Sequence, residues 1–145
     1  MPLLLRLKHV KTDGSDLAIG NKFGCVNNLL HSVFICLSVS SNCKPVTLHE
    51  SKYHYKAYLE KIFNCGSDAS GTHLLSSFWF LDSPTCDGAL KDNTGYATRL
   101  YYFDNSKSIE LYARLHADFF NSDKMLIDGV GMNIKLTVHQ KRSIF

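Results

Sequence analysis

The residues best placed to do chemistry are His116 and Asp118, two positions apart in a segment that alternates like a β-strand. Side chains two apart on a strand share a face, and a second histidine such as His139 could complete an iron site. The same alternation, however, places both side chains opposite the apolar face that contains Leu111 and Leu115. We therefore predict a polar pair at the surface or between subunits, and no metal site.

The remaining reactive side chains form no recognisable catalytic pattern. His49, His54 and His73 lack the spacing of metal ligands and are interpreted as surface or boundary histidines. The five cysteines are odd in number and contain no CxxC pair, which favours reduced, partly buried thiols over a zinc site or a disulfide framework. They are Cys25, Cys36, Cys43, Cys65 and Cys86. We expect no enzyme activity, no cofactor and no small-molecule substrate.

Positive charge is modest, with a net charge of +3, and is scattered along the chain. A small basic group near the end of the chain, Lys135, His139, Lys141 and Arg142, could contact DNA phosphates. A solvated edge, or a linker to a further domain, is the favoured interpretation. No recognition of a specific nucleic-acid sequence is expected.

Most of the chain has the two-residue period of β-strands, which places alternate side chains on opposite faces. The clearest case runs from residue 109 to 119, where the apolar residues occupy every second position. The pattern recurs near both ends of the sequence and at Val33, Ile35, Leu37 and Val39, with Phe34 and Cys36 on the other face. The other apolar sets are Leu3, Leu5 and Leu7, and Ile134, Leu136 and Val138.

Two further runs, 74–81 and 98–103, are apolar on both sides and are predicted to be strands covered on both faces. Each carries neighbouring rings on opposite faces, so that one ring can fill the core while another contacts a neighbouring subunit. Trp79 and Tyr102 are the candidates for that contact. Turn residues at Asp13-Gly14, Ser41-Asn42 and Asp128-Gly129 separate the strands, as in a sandwich or barrel.

One segment has helical spacing instead. Its apolar residues recur at intervals of three and four, which predicts a helix from about Ser51 to Cys65 that packs its apolar stripe onto the sheet. The stripe comprises Tyr55, Tyr58, Leu59, Ile62 and Phe63. The predicted core residues are Leu111, Leu115, Leu136 and Val138 in the strands and Tyr55, Tyr58 and Ile62 in the helix.

At 145 residues the chain has the size of one domain. The leucines near the start are interrupted by Arg6 and Lys8, which leaves no apolar segment long enough for a signal peptide or a membrane span. The sequence also contains no Asn-x-Ser/Thr site for glycosylation. These features predict an intracellular protein without membrane contacts.

The order of these segments resembles a known family. The runs 26–34 and 53–60, followed by 113–120, 126–127 and a closing strand over 130–138, are similar to the first jelly roll of the double jelly-roll major capsid proteins of Polinton or Maverick elements and adintoviruses. The resemblance covers nearly the whole chain. Its motifs are architectural, and none of them is catalytic.

The resemblance implies an all-β antiparallel jelly-roll sandwich of viral capsid type, with one inserted α-helix and without the family's N-terminal strand. It implies that residues 1–145 form a single, partial jelly-roll domain, since the second jelly roll is absent. In the family, three subunits form a capsomer and capsomers tile a shell around DNA. The expected partners are therefore copies of the chain or other capsid subunits, in the host cytoplasm or nucleus and in the virion. A missing strand would also leave an open sheet edge, so the isolated chain should oligomerise or be poorly soluble.

Two other classes share the strand pattern. A standalone jelly-roll binding module, lectin-like or cytokine-like, would be secreted, which the absence of a signal peptide and the odd number of cysteines disfavour. A cupin-type metal enzyme needs an inward-facing set of ligands, which the alternation around His116 does not provide.

Overall fold

The structure, a computed structural model, describes residues 1–18, 20, 24–47, 52–83, 93–123 and 128–139. Helix accounts for 34% and strand for 28%, and the strands form two antiparallel sheets. The antiparallel strands are as predicted. Because helix exceeds strand, the fold is mixed, and the expectation of an all-β domain with one inserted helix understated its helical part.

The strands in chain order are β1 (Pro2–Lys8), β2 (Phe34–Ser41), β3 (Lys44–Pro45), β4 (Ser108–Arg114) and β5 (Met132–Val138). The helices are α1 (Leu29–Ser32), α2 (Tyr53–Asn64), α3 (Ser67–Ser70) and α4 (Thr94–Phe103), with 3-10 turns at Leu75–Ser77, Asp104–Ser106 and Asp118–Asn121. No helix among the described residues is long and apolar enough to cross a lipid bilayer.

The first sheet joins the start of the chain to a strand more than a hundred residues later. Strand β1 pairs antiparallel with β4, with Leu5 opposite Leu111. Alternate residues of β1 are half-buried, among them Leu3 and Leu7, as the period of two predicts. In β4 the same alternation buries Leu111 and exposes Tyr112. The strand ends at Arg114, so the observed β4 is shorter than the strand that the alternation predicts over 109–119.

The second sheet has the order β3-β2-β5. Strands β2 and β3 are joined by a tight turn in which Asn42 and Cys43 have positive φ values of 46° and 63°, as in the hairpin turns whose twist matches the strands. Strand β2 pairs with β5 through a bulge between Phe34 and Cys36. Among the described residues β2 alone has a partner on both sides, so each of the other four strands has an unpaired edge.

Both sheets contribute side chains to one hydrophobic core. Leu111 and Leu115 are each 2% exposed, and they lie in the same cluster as Leu37 and Val39 of β2. Leu136 packs against this core and is half-buried. Val138 is 54% exposed, and its prediction as a core residue is wrong. It is the last residue of an edge strand, beyond the point where other side chains cover that face.

Neither of the two predicted double-covered strands is a strand. Residues 98–103 belong to α4, which begins where the Asn93 side chain accepts a hydrogen bond from the Tyr96 N–H, a typical N-cap. Residues 74–81 contain a 3-10 turn, and Phe78 follows it with a φ of 66°, which interrupts an extended chain. A short apolar run is consistent with both the two-residue period of a strand and the 3.6-residue period of a helix. In these two segments the Asn93 cap and the turn at Phe78 favour helical structure over a strand.

Candidate functional site

Helix α2 packs the side opposite its apolar stripe against the rest of the protein. The buried positions are Tyr53, Ala57 and Lys61, which recur every four residues. The predicted core residues Tyr55, Tyr58 and Ile62 are 62%, 39% and 48% exposed. Their prediction as core is wrong, because the groups behind α2 are hydrogen-bonding side chains that select Tyr53 and Lys61.

Lys61 is 3% exposed and carries its charge into the interior. Its Nζ donates to Asn28 Oδ1 at 2.7 Å and to Ser77 Oγ, and it lies 5.7 Å from the centre of the Trp79 ring. Burial lowers the pKa of Lys61 to about 8, since an ammonium group loses hydration there. A lysine with a lowered pKa can act as a base or nucleophile, but solvent does not reach this one, so its role is to fix α2.

His31 of α1 is fully buried beside Lys61. Its Nδ1 lies 3.0 Å from the Tyr53 hydroxyl, which also accepts a hydrogen bond from the His116 backbone N–H at 3.3 Å. With that N–H already donating to it, the hydroxyl can donate its own hydrogen to a neutral His31. Burial, reinforced by the charges of Lys61 and His116, lowers the pKa of His31 to about 2.

His116 lies just beyond β4, and its ring centre is 4.7 Å from that of His31 in an edge-to-face contact. Its Nδ1 is 2.6 Å from Glu60 Oε2 on α2. Burial lowers the pKa of His116, although the hydrogen bond and charge of Glu60 oppose that effect. His116 therefore joins the end of β4 to α2.

Asp118 faces a different side chain of the same helix, since Lys56 Nζ donates to its Oδ1 at 2.9 Å. The polar pairing predicted for His116 and Asp118 is thus made within one chain, to α2. His116 is half-buried against His31, so the expectation that it points away from the interior is wrong. The alternating pattern of the sequence continues past Arg114, but the strand ends there, so the alternation does not determine the direction of the His116 side chain.

A third histidine contact links α2 to the second sheet. His54, in the first turn of α2, has its ring 4.8 Å from that of His139, the residue after β5. Burial, together with His139, lowers the pKa of His54. Helix α2 is therefore joined through histidines to α1, to the end of β4 and to the end of β5. We call Asn28, His31, Tyr53, Glu60, Lys61, Ser77 and His116 the polar cluster.

A pocket of about 280 Å³ lies beside the polar cluster. Its walls combine apolar side chains of the second sheet and of the segment after β4 with polar groups of α2 and His116. They are Leu37, Val46, Thr47, Tyr53, Lys56, His116, Ala117, Asp118 and Phe119. The volume lies just below the range of about 300–1,000 Å³ that is typical of small-ligand pockets.

The two aromatic residues predicted at a subunit contact have different environments. Trp79 is 7% exposed and packs within the chain, with its ring centre 5.0 Å from that of Tyr58. Because Trp79 is buried within its own chain, it does not lie at the exposed surface where a subunit contact was predicted. Tyr102 is 44% exposed and stacks on Phe80, which leaves part of its ring available to a neighbour.

Several functional residues were missed from the sequence. Lys61, His31 and Asn28 carried no local motif, and Arg99 lay in a predicted strand. Arg99 is 4% exposed and pairs with Asp82 at 2.8 Å. The available signal for Lys61 was its position four residues after Ala57 on the small-residue side of the helix.

Among the described residues, no three His, Cys, Asp or Glu side chains are grouped so as to hold a metal ion. The exposed Lys135 of the predicted basic group lies on β5, while His139 of that group packs on His54. His49, Cys86, Lys141 and Arg142 lie outside the described residues.

Comparisons with known proteins give one distant relative. "Uncharacterized protein F54H12.2" of Caenorhabditis elegans is 26% identical over 124 residues, which are 83% of this chain and 26% of the relative. The chain thus spans about a quarter of the length of the curated relative it matches. No family model matches the chain. No solved structure matches it either.

Proposed function

We propose that the chain is a structural, shell-forming protein, a capsid or capsid-derived subunit of jelly-roll type related to those of Polinton or Maverick elements. Its partners are copies of itself or other capsid subunits, and it acts inside the host cell and in the virion. The family resemblance is the reason for proposing a shell that is built from trimeric capsomers. Unpaired sheet edges and an exposed apolar helix supply the physical reason for association.

The observation that carries the proposal is the outward stripe of α2. Leu59 and Phe63 are 50% and 78% exposed, and they continue the row formed by Tyr55, Tyr58 and Ile62 over the length of the helix. Contiguous apolar surface of this kind typically marks a site of protein association. A second copy of the subunit is the occupant that an assembling shell provides.

The sheet edges support the same proposal. Strands β1, β4 and β5 each present an edge without a partner among the described residues. Such edges pair with other strands, within a longer polypeptide or between subunits.

Light scattering coupled to size-exclusion chromatography tests the proposal at micromolar concentration. The wild-type chain should form oligomers, with trimers expected from the family. A double variant, Ile62→Ser with Phe63→Ser, should be monomeric, since both side chains are exposed and their replacement leaves the core intact. Leu4→Ser, at a residue 65% exposed on β1, is the matched control and should still oligomerise. A wild-type monomer would contradict the proposal, and so would equal association of the α2 variant and the control.

A further inference from the structure

We infer that α2 is an acid-released element: moderate acidification detaches it from the protein before the β1–β4 ladder opens. Three contacts carry this inference, and each joins α2 through a histidine to a different part of the chain. They are His31 with Tyr53, His116 with Glu60, and His54 with His139.

The surroundings of His31 and His54 disfavour protonation while α2 is docked, and at His116 burial outweighs the opposing charge of Glu60. His31 faces the ammonium group of Lys61 and the ring of His116, and Glu60 is the carboxylate that pairs with His116. Lys56, which faces His116 and Glu60, is itself paired with Asp118. His54 faces His139, and Lys61 has Cys65 nearby. Acidification therefore adds positive charge to a buried region that already contains Lys61.

Hydrogen bonding leads to the same result. Neutral His31 can accept from the Tyr53 hydroxyl, which itself accepts from the His116 N–H. A protonated His31 is a donor at both nitrogens. The Tyr53 hydroxyl would then have to accept from both His31 and the His116 N–H, and it would no longer have His31 as the acceptor for its own hydrogen. His31 Nε2 is already buried and has no hydrogen-bond partner among the residues that the structure describes. The proton is thus better accommodated once α2 has moved away and water reaches the ring.

Proton linkage determines whether acid favours the docked or the released state of α2. The pKa of docked His31 is lowered to about 2, whereas a released histidine has a pKa of about 6.5. Below pH of about 6.5 the released state binds more protons, so each pH unit favours release by up to about tenfold for this histidine, down to pH of about 2. Burial shifts the pKa values of His54 and His116 in the same direction.

Hydrogen exchange read by mass spectrometry, at a series of pH values from 7.5 to 4.5 and corrected for intrinsic rates, tests the inference. Peptides covering α2 should lose protection at higher pH than peptides covering β1 and β4. The emission of Trp79, the one tryptophan of the chain, should change with the α2 peptides because its ring packs on Tyr58. Simultaneous loss of protection in α2 and in β1–β4 would overturn the inference.

Variants identify the groups responsible. His31→Gln should reduce the pH dependence of α2 release by up to about tenfold per pH unit. If that variant does not fold, His116→Gln, at a half-buried position, should reduce it in the same direction. His73→Gln is the control, since His73 is exposed and lies outside the three contacts; its release profile should match the wild type. An unchanged profile in the folded His31 or His116 variant would also overturn the inference.

Discussion

Strand β4 and helix α2 are both amphipathic in sequence, yet only β4 buries its apolar stripe. In β4 the apolar residues Ile109, Leu111 and Ala113 point to the core and the polar ones to solvent. In α2 the apolar stripe faces solvent, and Tyr53 and Lys61 point inward. The difference teaches that a periodic pattern identifies the element, while the groups that meet it decide which face is buried.

The largest effect is expected from replacing Leu115, a buried residue just beyond β4. Leu115→Ala should lower the free energy of unfolding by about 2–5 kcal/mol, because it removes buried methyl groups and leaves a cavity. Urea denaturation followed by circular dichroism measures the change. A loss below about 1 kcal/mol would show that Leu115 is not in a tightly packed core.

Removing the buried ammonium group tests whether polar contacts fix α2. Lys61→Ala should cost roughly 1–3 kcal/mol, since Asn28 and Ser77 lose a hydrogen-bonding partner in the interior. Lys56→Ala, at a partly exposed salt bridge with Asp118, should cost under about 1 kcal/mol. Both values come from the same denaturation experiment. Equal effects of the two variants would argue against a docking role for Lys61.

The pH dependence of stability separates the histidine contacts from the apolar core. Because the docked His31 has a lowered pKa, stability is retained above pH of about 6.5 and falls as the pH drops below it, by about 1.4 kcal/mol per pH unit for this residue. Denaturation of the wild type and of His31→Gln from pH 7.5 to 4.5 measures the difference. Parallel curves for the two proteins would exclude His31 as the source.

The smallest effect is expected on the outer face of α2. Phe63→Ser should change the free energy of unfolding by less than about 0.5 kcal/mol when the chain is monomeric, because Phe63 is 78% exposed. The measurement is made at a dilution where light scattering detects monomer. A loss of 2 kcal/mol or more would place Phe63 in contact with the rest of its own chain.

Much of the strand framework could be predicted from alternation, because a half-buried strand shows it directly: β1, β4 and β5 lie where Leu3, Leu111 and Ile134 indicated. The helix over 53–64 followed from its spacing. Its orientation could not be predicted, since Asn28 and His31 lie some thirty residues before Lys61 and only packing brings them together. The aromatic run of α4 resembles a strand until the Asn93 cap is considered.

The bulge in β2 also constrains how the chain can vary in length. Ile35 has no partner in the pairing with β5, so Phe34 lies in the core with Leu37 and Val39 although three positions separate Phe34 from Leu37. A deletion at Ile35 would leave Phe34 and Leu37 two positions apart, so regular pairing with β5 would keep both side chains on the core face. A single-residue deletion should therefore be tolerated at Ile35, whereas a deletion at Ser38 would make Leu37 and Val39 adjacent and turn one of them away from the core.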